Sequence, residues 1–211
     1  MRFHLLAFSS ILAIGTTALH ADSFTPYNNV GTPDSATIIN YTGANAAGII
    51  GYFYGASASD TDNISVYDVT AGVFLSNQHS FSNQTTAVGT SVLFTNGALK
   101  NGDVLVFDLY NSSFPGDTLS SDPGTSPDGD SHAYFSSFDG NIPGVGTVDG
   151  TFVGMEDLPA NVSDFDYNDD TFVFTNVTVS DPTPTPEPSS FALLGTGLLG
   201  AAGVLRRKFA R

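Results

Sequence analysis

Between Arg2 and Arg206, Lys100 is the only lysine or arginine in the chain. Over residues 22 to 181 it stands against twenty Asp and Glu, a formal charge of −19. A fold built from such a chain cannot neutralise its carboxylates with internal ion pairs. They have to be held apart, hydrogen-bonded to neutral donors, or bound by cations. The same balance excludes a basic patch, so binding of nucleic acid or anionic lipid through one is not expected. A solvated acidic surface that keeps a secreted protein soluble satisfies the charge equally well.

The chain has no cysteine. Thiolate catalysis, zinc–thiolate sites and iron–sulfur clusters are excluded, and the core must hold the fold unaided or with metal. About 160 residues between the ends suffice for one domain with a sizeable core. They are written in strands: Thr37 to Tyr41, Gly48 to Tyr54, Asn63 to Val69, Gly89 to Thr95 and Val104 to Tyr110 are β-branched and aromatic runs between Gly, Asn, Asp and Ser clusters. Asn96-Gly97 and Asn101-Gly102 bracket a turn, predicting a hairpin of Val92–Phe94 with Val104–Phe107. Thr171 to Val179 reads as one further strand, and the polar stretch from Asn111 to Gly150 as an ordered loop or a pair of short strands around His132–Phe135. The expected fold is all-β, an antiparallel β-sandwich of jelly-roll type over residues 22–180, followed by a single C-terminal hydrophobic helix.

Both ends read as targeting segments. Arg2, the apolar Leu5 to Ala18 and Leu19-His20-Ala21 have the layout of a secretory signal peptide over residues 1–21. At the other end, residues 181–188 form a Pro-rich linker, an uncharged run from Phe191 to Leu205 follows, and Arg206, Arg207 and Lys208 close it. The run has no polar face, which argues against a buried amphipathic helix of the domain. Its fifteen residues span about 22 Å as a helix, short of a hydrocarbon core of about 30 Å. Ser189, Ser190 and the arginine stems extend a helix over 189–205 into a marginal membrane anchor.

Pro186-Glu187-Pro188, the apolar helix and the basic end together resemble the PEP-CTERM sorting signal of Gram-negative bacteria, here residues 186–211. That resemblance implies an inner-membrane precursor, processing by an exosortase-type membrane protease, and delivery to the cell surface or its polysaccharide matrix. The sorting residues it assigns are Pro186, Glu187, Pro188, Arg206, Arg207 and Lys208. The same tail is also catalogued as an ice-binding protein C-terminal motif, a label for the tail; the domain has no repeated flat threonine array.

Gly154-Met155-Glu156-Asp157-Leu158, followed by Ser163-Asp164-Phe165-Asp166-Tyr167-Asn168-Asp169-Asp170, resembles the module called domain of unknown function 4114, with Met155 where the family has an aromatic. The resemblance covers residues 128–180 and implies no established activity. Read from the residues alone, Asp164, Asp166 and Asn168 alternate, so an extended segment sends their oxygens to one side while Phe165 and Tyr167 face a core. An all-oxygen donor set suits calcium, with Glu156, Asp157, Asp169 and Asp170 completing the shell. Position six of an EF-hand loop would be Asp169 and position twelve Thr175, so that motif is rejected. Against calcium stands the reading of the same acids as turn formers that bond nearby backbone N–H groups.

Asp60-Thr61-Asp62-Asn63 and Asp128-Gly129-Asp130 are candidates for a second calcium site or for turns. His132 reads as an internal hydrogen-bonder; His79 has no companion at metal spacing. No nucleophile elbow, phosphate loop or zinc-protease helix is present, so no catalytic residue is assigned. Three functions follow in order: a non-catalytic surface or matrix protein stabilised by calcium; a carbohydrate-binding module for exopolysaccharide using Tyr27, Tyr52, Tyr54 and Tyr134; and a glycoside hydrolase using two of the many carboxylates.

Overall fold

The computed structural model describes residues 27, 29–35, 37–113 and 118–180. The signal peptide, Pro-rich linker, hydrophobic helix and sorting residues expected from the sequence lie outside them. Among the described residues eleven strands run in chain order: β1 (Ile38–Tyr41), β2 (Ile49–Ala56), β3 (Asp62–Asp68), β4 (Val73–Phe74), β5 (Ser91–Phe94), β6 (Val104–Asn111), β7 (Thr118–Ser120), β8 (Ala133–Ile142), β9 (Gly146–Met155), β10 (Asp170–Phe174) and β11 (Val177–Ser180). No helix occurs among the described residues, and all pairings are antiparallel.

They form two sheets. The first has the order β11-β1-β6-β3-β4, with β7 beside the far end of β6; the second has the order β5-β2-β10-β9-β8. Alternation explains the packing. Ile64 and Val66 of β3 and Leu105, Phe107 and Leu109 of β6 point inward from the first sheet, meeting Phe53, Val153, Met155, Phe172 and Phe174 of the second. The Phe107 and Phe174 rings, 4.7 Å apart, touch across the gap. Each such side chain contributes about 2–3 kcal/mol by leaving water. The second sheet is covered on its other face as well, where Phe138, Ile142, Val148, Phe152 and Val173 make a smaller cluster. The all-β sandwich is therefore as expected.

Three local expectations are corrected. The single strand over Thr171–Val179 is two strands in different sheets. Phe172 and Phe174 face the core, but so do Val177 and, in part, Val179. This change of parity is impossible within one strand, and it is absorbed at Asn176, whose φ is 61°. The hairpin of Val92–Phe94 with Val104–Phe107 does not form, because β5 pairs with β2 while β6 pairs with β1, β3 and β7. The connection dips between the sheets, burying Leu99 completely. The stretch from Asn111 to Gly150, expected as an ordered loop or a pair of short strands, holds β7, the long β8 and the start of β9, which pairs with β8 over ten residues from Ala133↔Met155 to Ile142↔Gly146. Along the β8–β9 hairpin Ser137, Asp139 and Asp149 are exposed, while Phe135, Phe138 and Ile142 are buried.

Register defines two ends of the sandwich. Asp62 pairs with Asn111, and Asp170 with Met155 and Ala56, at one end. Asp68 and Ile39 both pair with Leu105 at the other.

Candidate metal centre

At the first end, β9 runs out into Glu156 and Asp157, and the chain returns as β10 at Asp170. The acidic loop between them lies over the outer face of the second sheet. It crosses β9 at Gly154, where a Cβ would stand 2.4 Å from the Tyr167 carbonyl oxygen, so only glycine admits it. Phe165 and Tyr167 are buried and anchor the loop. The Tyr167 hydroxyl donates to the Ser131 carbonyl at 3.2 Å and accepts from the Asp34 N–H at 2.5 Å, and its ring meets Tyr27 at 4.7 Å. Both anchors have left-handed backbone, φ 47° and 53°, so the segment is a series of turns and not the extended run expected. The alternation itself holds: Asp164 and Asn168 are exposed and Asp166 half-buried, opposite the two aromatics.

Glu156, Asp164 and Asp166 converge, each presenting an oxygen, with all three oxygens within 4.8 Å of one another. Glu156 is 1% exposed and its Oε2 accepts the Tyr167 N–H at 3.2 Å. Burial, then the charge of Asp169, pushes its carboxyl up out of the usual range. Asp166 is raised by burial and by the Asp164 and Asp169 charges, though the Asn168 N–H at 3.1 Å lowers it. Three hard oxygens open to solvent on the Asp164 side can hold a metal ion.

The other predicted ligands sit differently. Asn168 gives its amide N–H to Asp166 Oδ2, and its Oδ1 receives the Ser57 hydroxyl. Asp169 Oδ2 accepts the Asp157 N–H at 3.1 Å, closing the base of the loop. Asp157 belongs to a second group, with Asp60, Asp62 and Asp170. It is raised by burial and by the Asp169 charge, ahead of those of Asp62 and Asp60. Burial and then Asp60 push Asp62 up to about 6; burial and then Asp62 push Asp170 up to about 9. In the sequence Asp62 belongs to Asp60-Thr61-Asp62-Asn63, a candidate for a second calcium site or for a turn. Its signal was parity: it shares a strand face with Ile64 and Val66, as Asp170 does with Phe172 and Phe174.

Asp128-Gly129-Asp130 is a turn. Asp128 accepts the N–H groups of Asp130 (3.2 Å) and Ala160 (2.8 Å) and meets Nε2 of the buried His132 at 3.0 Å. Burial alone would raise its carboxyl, but these donors outweigh it and hold it below the usual range. His132 is thus an internal hydrogen-bonder, as expected. His79 packs edge-on against Tyr110, 5.1 Å between ring centroids. Beside the Asp166–Asn168 side of the loop lies a groove of about 630 Å³, lined by Tyr27, Tyr54, Tyr134, Phe152, Asp166 and Asn168 among others. Tyr52 packs against the outer apolar cluster.

Residues 184–208 match the PEP-CTERM protein-sorting motif. The motif marks an exported, membrane-anchored precursor of Gram-negative bacteria that an exosortase processes, leaving a cell-surface or secreted product. No curated protein and no solved structure matches the chain.

Proposed function

We propose that the mature product is a non-catalytic component of the cell surface or extracellular matrix whose acidic sandwich is stabilised by calcium at Glu156, Asp164 and Asp166. The convergence of three carboxylate oxygens within 4.8 Å, with no cationic partner among the described residues, supports this reading. We read residues 128–180 as the module resembling domain of unknown function 4114, and the tail as the part removed. In the native host, mass spectrometry of the surface fraction is expected to find a C-terminus at or near Pro186-Glu187-Pro188; recovery of intact Arg211 there would refute processing. For the metal, Asp166→Ala in the full-length chain is expected to lose most of the rise in melting temperature that millimolar calcium gives the wild type. Equal melting of the wild type in calcium and in chelator would rule the site out.

A second reading, binding of exopolysaccharide, is favoured by the tyrosine-lined groove at the edge of the same loop. Flat aromatic faces beside carboxylate and amide oxygens suit sugar rings. Retardation of the wild type in gels containing the host polysaccharide, lost in Tyr54→Ala, supports it; unchanged migration of the wild type excludes it.

A further inference from the structure

The strands β3 and β10 belong to different sheets, and each begins on an acid turned toward the interior. Asp62 and Asp170 are both 0% exposed and stand within hydrogen-bonding reach of each other. Asp157 and Asp60 lie close enough for their charges to act on the pair. Neutral amides organise one side of the group. Asn83 Nδ2 donates to Asp62 Oδ2 at 2.9 Å, and Asn111 Nδ2 to Asp60 Oδ2 at 3.2 Å. Asp62 Oδ1 and both oxygens of Asp170 receive no hydrogen bond. Lys100 is at the opposite end, bonded through its backbone to Asp103, and no ion pair reaches the group among the described residues. Buried carboxylate oxygens with neither donor nor counter-charge are too unfavourable to stand as ions, so something electrophilic belongs between Asp62 Oδ1 and the two oxygens of Asp170.

We propose that Asp62 and Asp170, with Asp157 and Asp60 around them, hold a second hard divalent cation that clamps the two sheets together at this end. Calcium fits, because every donor is an oxygen and calcium accepts carboxylates held by turns and strand ends without the near-ideal octahedron that magnesium demands. The site shares no ligand with the Glu156–Asp164–Asp166 trio, although the Asp169 charge acts on both groups. A single proton shared between Asp62 and Asp170 would satisfy the same oxygens, and that is the outcome that opposes the proposal.

Isothermal titration of the chelator-stripped full-length chain with calcium chloride decides between them. The wild type is expected to take up two equivalents and Asp166→Ala one. Asp170→Asn and Asp62→Asn, which keep the side-chain shape, should each weaken one equivalent at least tenfold and leave the other; near-UV circular dichroism in chelator confirms that they fold. If Asp166→Ala binds none, the clamp is overturned even where neither Asn variant folds, and the trio stands. A single equivalent in the wild type that survives in Asp166→Ala supports the clamp and removes the trio. No uptake by the wild type overturns both and leaves the shared proton.

Discussion

Asp62 and Asp68 stand at the two ends of one strand, about 20 Å apart, both on its inward face and both 0% exposed. Their surroundings differ completely. Asp68 Oδ1 accepts the Ala71 N–H at 2.9 Å and Oδ2 accepts the Asn96 amide at 3.0 Å, so the side chain caps the turn after β3. Nearby, Asp103 caps the Lys100 N–H at 2.7 Å in the same way. At the other end, Asp62 keeps one oxygen without a donor and its neighbour Asp170 keeps two, with Asp157 and Asp60 adding like charge. Burial of an acid is therefore no mark of a binding site. A filled carboxylate is part of the turn it closes, whereas an unfilled one requires a proton or a cation.

The comparison is tested most severely by pH. Asp170 is raised to about 9 from an unfolded value near 3.8. Between those values the folded chain keeps a proton that the unfolded chain has released. Its contribution is fully present below the unfolded value and fades as pH rises through the folded one. In chelator, raising the pH from 5 to 8 is expected to cost about 4 kcal/mol for that proton, read from urea midpoints; Asp157 and Glu156, also raised, act in the same direction. Saturating calcium should flatten the profile, and a chelated protein as stable at pH 8 as at pH 5 would contradict the unfilled state of this end.

Calcium itself should add about 2.7 kcal/mol per site when free ion is a hundred times the dissociation constant, measured as the difference in unfolding free energy between calcium and chelator at pH 7.5. Asp68→Ala strips donors of their acceptor and should cost about 1–3 kcal/mol, identically in calcium and chelator. Dependence of that loss on calcium would erase the distinction between the ends. A gain completes the series: Asp170→Asn in chelator at pH 8 should melt higher than the wild type, because the amide is neutral without the proton that folded Asp170 has to keep.

Much of the sandwich was legible because strand faces announce themselves: the alternation of Ile64, Val66, Leu105, Phe107 and Leu109 needs no partner to be read. The loop's alternation of Asp164, Asp166 and Asn168 against Phe165 and Tyr167 was legible for the same reason, as was the composition of the sorting motif at 184–208. The pairing of β5 with β2 was not, because the Asn-Gly signals that suggest a hairpin describe a turn's backbone and say nothing of Leu99 being drawn between the sheets. Nor was the long β8–β9 hairpin, whose polar residues lie on exposed positions of paired strands.

By itself the sequence determined that the folded region is built of strands, carries a large uncompensated negative charge and concentrates six of its acids between Glu156 and Asp170. Only the tertiary structure decided which acids meet. It sorted that run into a trio at Glu156, Asp164 and Asp166 and a buried group in which Asp157 and Asp170 join Asp60 and Asp62, nearly a hundred residues earlier in the chain. Local spacing fixes the direction a side chain takes from its own backbone, but the field at a carboxylate comes from whatever the packing of two sheets brings within a few ångströms of it.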